Sequence, residues 1–75
     1  MNIQEAILTY KKISRSCEKN SKDWICYHKK GSGPYSNLVD CDYFVICEDG
    51  IENFSTSLDL YPADLLAEDW QILDI

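Results

Sequence analysis

Apolar residues Ile3, Ala6, Ile7 and Tyr10 recur at the spacing that lines one face of a helix. Asn2 and Glu5 stand at the separation of a capping box, in which each side chain satisfies a free amide of the first turn. Lys11 and Lys12 complement the negative end of the dipole, so the pattern predicts a helix over residues 1–12. The period then changes. Residues 13–17 predict a short strand, and residues 18–23, with Asn20 and Ser21, a turn. Residues 24–28 are aromatic and β-branched, as strands are, with Trp24, Cys26 and His28 on one face and Ile25 and Tyr27 on the other. Residues 29–40 carry Gly31, Gly33, Pro34, Ser36 and Asn37, a composition that blocks regular structure.

Residues 42–47 are apolar on both faces, the mark of a central strand covered on both sides, by the helix on one and a partner subunit on the other. Asp49-Gly50 is a hairpin signal, with a return strand over residues 51–55. After a connection over residues 56–61, Pro62 suits a first helical position, and Asp64 and Glu68 suit the positive end of a short helix. The stretch from Trp70 onward reads as a terminal strand that carries Trp70 into the core. These elements predict an α+β fold: an N-terminal helix packed on a small antiparallel sheet, with a short helix before a C-terminal strand.

Length and charge narrow the picture. Seventy-five residues make one domain, and a chain this short buries only about 60% of its unfolded surface, which makes self-association a natural way to gain more. The chain has no apolar run approaching the roughly 20 residues of a membrane helix and no signal-peptide pattern. An intracellular chain keeps its four cysteines reduced, and Cys17, Cys26, Cys41 and Cys47 include no Cys-x-x-Cys pair, so they read as small buried hydrophobes. All seven basic residues lie in the first 30 positions, whereas from Val39 onward the charged residues are acids. A net charge of −6 makes a poor general binder of nucleic acid. The lone histidine, His28, has no nucleophile at a recognisable motif, so no catalytic constellation is expected. The aromatic set offers faces on which a base can stack.

The closing stretch Asp64-Leu-Leu-Ala-Glu-Asp-Trp70-Gln-Ile-Leu resembles the signature of the second Thoeris anti-defence type, a phage-linked family of small proteins. The opening Ile3-Gln-Glu-Ala-Ile-Leu-Thr-Tyr-Lys-Lys-Ile-Ser-Arg15 and the middle Tyr43-Phe-Val-Ile-Cys-Glu-Asp-Gly50 are similar to the family as well. The resemblance implies a homo-oligomer, commonly a tetramer, acting in the cytoplasm of an infected bacterium as a sponge. Such a sponge holds a cyclic ADP-ribose-type signal or a cyclic dinucleotide without cleaving it, and needs no cofactor, metal, membrane or nucleic acid. On that reading Arg15 and Lys29 or Lys30 meet phosphate, Trp24 or Phe54 stacks, Tyr27 adds to the aromatic surface, and Ser55 or Asp64 bonds ribose or base. The alternative is a protein-binding inhibitor of a defence nuclease that acts through the acidic half of the chain.

Overall fold

The computed structural model describes residues 1–16 and 23–73. The predicted turn over residues 18–23, apart from Asp23, and the end of the first predicted strand at Cys17 lie outside them. The elements run α1 (Ile3–Ile7), β1 (Ile13–Arg15), β2 (Trp24–His28), β3 (Tyr43–Glu48), β4 (Ile51–Ser55), α2 (Pro62–Leu66) and β5 (Trp70–Ile72). The strands form one antiparallel sheet in the order β4-β3-β2-β1-β5.

The first helix starts as its sequence predicts and stops sooner. Asn2 Oδ1 accepts a hydrogen bond from the Glu5 amide at 2.9 Å, which satisfies a first-turn donor. The helix ends at Ile7 rather than Lys12. The Thr9 hydroxyl donates to the Ala6 carbonyl at 2.6 Å and accepts from the Lys11 amide, so it competes with the helical ladder. Tyr10 then takes a φ of 57°, a left-handed conformation that ends the helix. Lys11 and Lys12 therefore leave the dipole and lead directly into β1.

Across the sheet, β2 and β3 pair along their length, from Trp24 opposite Cys47 to His28 opposite Tyr43. The β3–β4 hairpin turns at Asp49 and Gly50, whose φ values of 53° and 83° are the paired positive angles of a type I′ turn. At the other edge, β1 pairs with β5 from Ile13 opposite Ile72 to Arg15 opposite Trp70. Met1 secures that edge: its ammonium donates to the Glu68 and Trp70 carbonyls, and its own carbonyl accepts from the Trp70 amide.

Alternation along the strands divides the core in two. One cluster joins Ile3 and Ala6 of α1 to Ile13, Ile25 and Trp70, with Phe44, Leu58, Leu60 and Ala67 packed around it. The other joins Trp24, Cys26, Tyr43, Val45 and Cys47 to Val39, with Tyr35 and Leu73 alongside. On this second face the cover comes from the chain's own 29–42 loop. Tyr43 anchors that loop: its hydroxyl donates to the Ser32 carbonyl at 2.9 Å and accepts from the Tyr35 amide at 3.0 Å. Gly33, at φ 87°, lies so close that a Cβ there would stand 2.3 Å from the Tyr43 hydroxyl and 2.7 Å from the His28 ring. Asp42 closes the loop by accepting from the Lys30 amide and from the Tyr27 hydroxyl. Among the described residues, no helix is long and apolar enough to cross a membrane.

Candidate functional site

A cleft of about 740 Å³ opens on the loop-covered face of the sheet. Its floor follows from alternation and register. Trp24, Cys26 and His28 project from β2, Val45 from β3 and Glu52 from β4. Among the described residues, β1 is registered on β2 by the pair Ile13 opposite Ile25, and the chain just before it, Tyr10, Lys11 and Lys12, makes the basic wall. The Lys12 ammonium stands 4.6 Å from the centre of the Trp24 ring, a cation–π contact that joins a flat aromatic surface to a positive charge. Among the described residues, no ion pair holds Lys11 or Lys12.

The neighbouring titratable groups add no positive charge and no activated nucleophile. Burial pushes the His28 pKa below its ordinary value, which favours a neutral imidazole. Burial pushes the Cys26 thiol up, and the positive charge of Lys12 offsets this only in part. A protonated thiol is a weak nucleophile. The cleft can therefore take an anion at the lysines, with Tyr10, 42% exposed, as a more open ring than Trp24, which is 8% exposed.

The opposite face holds a smaller groove, about 470 Å³, with Arg15 among its lining residues. Arg15 is drawn into the fold by two carboxylates. Its Nη1 donates to Asp64 at 2.7 Å, while its Nε and Nη2 donate to the two oxygens of Asp69. The Ser16 hydroxyl also donates to Asp69, at 2.9 Å. The Arg15 bond and then the Ser16 bond hold the Asp69 carboxyl below the usual carboxylate range. The Trp70 indole N–H donates to the Asp64 carbonyl at 2.9 Å, so one short segment grips both the arginine and the tryptophan. Asp23, Glu48, Asp49 and Asp59 line the rest of this groove, which makes it predominantly acidic.

Residues 1–73 match the Tad2-like family, described as the Thoeris anti-defense 2-like domain. The chain belongs to this family. Membership supports a role in Thoeris anti-defense and is consistent with a non-catalytic part that involves a signal molecule. No curated protein and no solved structure matches the chain.

The anti-defense domain distributes its sequence-predicted site residues over several places. Trp24 forms part of the cleft floor. Arg15 and Asp64 meet one another in the acidic groove. Tyr27 and Lys29 gather around Tyr10: the Tyr10 and Tyr27 rings stack at 5.5 Å, and the Lys29 ammonium lies 5.9 Å from the Tyr10 centroid. Phe54 is partly exposed on β4 against Tyr35, with ring centroids 5.1 Å apart. Ser55 is used locally, donating to the Ser57 carbonyl at 2.6 Å. The polar and aromatic cleft residues that sequence reasoning missed include Tyr10, Lys11, Lys12, His28 and Glu52. The shared face of Trp24 and His28 was visible as alternation, but nothing local signals that residues 10–12 and Glu52 flank it.

Proposed function

We propose that this domain binds and sequesters a cyclic nucleotide immune signal, of the cyclic ADP-ribose type or a cyclic dinucleotide, without cleaving it. The observation that carries this reading is the Lys12 ammonium over the Trp24 ring, with Lys11 on the same wall of a ligand-sized cleft. A nucleotide needs an aromatic face for its base and cations for its phosphates; Lys11 and Lys12 offer the cations, and the neighbouring Tyr10 offers a more open ring than the largely buried Trp24. Sequestration needs no turnover; it needs a dissociation constant below the signal concentration and enough copies of the protein. Assembly of several copies belongs to the same proposal: exposed Leu8, Tyr61, Leu65 and Leu66 give a second copy apolar surface to cover.

Native mass spectrometry tests this with the purified protein alone and with cyclic ADP-ribose isomers and cyclic dinucleotides. A ligand retained intact, in fixed ratio to the chain, supports the sponge, and Lys11→Met with Lys12→Met should weaken it at least tenfold. Failure of the whole panel to bind overturns the proposal for these signals. The acidic groove favours a second reading, a protein inhibitor that mimics nucleic acid charge. That reading predicts salt-sensitive capture of a basic protein, weakened by Asp59→Lys and insensitive to the two lysine substitutions.

A further inference from the structure

β4 is the outermost strand of the sheet, and among the described residues no strand pairs with its free side. The type I′ turn at Asp49 and Gly50 fixes which backbone groups face that side. Glu48 and Ile51 flank the turn as a hydrogen-bonded pair, and such pairs alternate along an antiparallel ladder. Asn53 and Ser55 therefore bond to β3, while the amides and carbonyls of Glu52 and Phe54 point outward. Folds usually shield such an edge with lysine, proline or a bulge. β4 has none of these: it reads Ile-Glu-Asn-Phe-Ser, and its register on β3 is unbroken from Ile51 to Ser55.

Side chains make this edge selective. Ile51 and Phe54 are both exposed, and alternation sets them on opposite faces of the strand, so a strand laid alongside would cover apolar surface on each face. The charged residues of the hairpin around that edge, Glu48, Asp49 and Glu52, are exposed and all acidic. Among the described residues, no ion pair holds any of the three. A second β4 laid there would bring acids against acids, whereas a basic strand would meet complementary charge. In an antiparallel partner an apolar residue would face Phe54, a lysine or arginine two positions later would face Glu52, and the next residue, apolar, would face Ile51. We infer that the free edge of β4 is a docking site for an extended segment of another protein, of the pattern apolar-x-Lys/Arg-apolar, which joins the sheet as a further strand. Docking there requires no bound nucleotide.

The probe is the fluorescein-labelled peptide Thr-Val-Thr-Arg-Val-Lys-Thr, which carries this pattern, and its control has glutamate at both cationic positions. Fluorescence anisotropy measures binding to the intact protein, and amide hydrogen exchange followed by NMR locates it. The wild type is expected to bind the basic peptide at least roughly tenfold more tightly than the acidic one, with exchange slowed at Glu52 and Phe54. Glu52→Lys should erase that preference. Glu52→Pro removes an outward donor and leaves the ladder to β3 whole, so it should abolish binding with the unfolding temperature little changed. Absence of binding, equal binding of the two peptides, protection elsewhere on the molecule, a preference unchanged in Glu52→Lys, or binding that survives Glu52→Pro overturns the inference. So does a wild type that sediments as an oligomer which Glu52→Pro takes apart, because a second copy then occupies the edge.

Discussion

Trp70 and Trp24 each sit beside a basic residue on one sheet, and the fold uses the two pairs differently. Trp70 is 4% exposed, its indole N–H is satisfied by the Asp64 carbonyl, and its cross-strand partner Arg15 is held by Asp64 and Asp69. Trp24 carries the Lys12 ammonium over its ring beside an open cleft, with no carboxylate paired to that lysine among the described residues. The first corner spends its charges on itself. The second is buried almost as deeply, with Trp24 8% exposed, but leaves the lysine's charge for something else. A tryptophan next to a cation is therefore not a binding signal by itself; what decides is whether the fold supplies the counter-charge.

The largest break in this comparison should come from Trp70→Ala. Emptying that corner is expected to cost about 3–5 kcal/mol, enough to unfold much of so small a domain, and urea titration followed by circular dichroism would show it. Gly33→Ala is the counterpart on the cleft side. A Cβ pressed against the Tyr43 hydroxyl at positive φ should cost about 1–3 kcal/mol and loosen the loop first. Faster hydrogen exchange over residues 29–42 would register this.

Arg15→Met against Lys12→Met is the sharpest test of the contrast. Losing Arg15 strands two carboxylates, and because both pairs are partly solvated the expected cost is about 1–2 kcal/mol. Lys12→Met should change stability by no more than about 0.5–1 kcal/mol, the scale of an exposed cation–π contact. Equal destabilisation of the two variants in urea would remove the distinction between the corners.

Acid should then separate the faces by pH. His28 has its pKa lowered by burial, so its contribution is complete above the ordinary value of 6.5 and declines as pH falls below it. Asp69, whose pKa is also lowered, contributes fully above the ordinary 3.8 and loses that contribution only as pH falls through its depressed value. Stability measured from pH 7 to 3 should therefore soften first through the cleft side, and His28→Gln should remove that early limb. The smallest effect lies at Tyr27. Its bond to Asp42 raises the phenol to about 12, so ultraviolet titration should show one late-ionising tyrosine that Tyr27→Phe abolishes. The sign is opposite to that of the acids: this contribution is present below the ordinary 10 and fades as pH rises through 12.

Local pattern announced most of the elements. β2 and β4 fall on their predicted residues, β3 begins one residue later than expected, the Asp49-Gly50 turn and the Pro62 helix start are in place, and Trp70 is buried. Each rests on a signal confined to a few residues. The first helix was overread because Tyr10 continues the apolar period, whereas the Thr9 hydroxyl and the left-handed Tyr10 outweigh that period. Strand order carries no local signature, so neither did the clasp of Arg15 by Asp64 and Asp69. The cleft suffered the same way: Trp24 stood out by composition, but Lys12 and Glu52 reach its two sides only through pairing between distant strands.

The pairing of β1 with β5 also sets the order of events in time. β1 sits between β2 and β5, and its partner Trp70–Ile72 follows the other strands in the chain. Until those residues emerge, one side of β1 has no strand to bond, and Arg15 waits for both of its carboxylates. The β2–β3–β4 meander can form early from neighbours in sequence, whereas the other edge closes only after Trp70–Ile72 has been made. Assembly is therefore delayed at that edge, and a chain stalled short of Trp70 would expose the margin of β1 to whatever strand it met first.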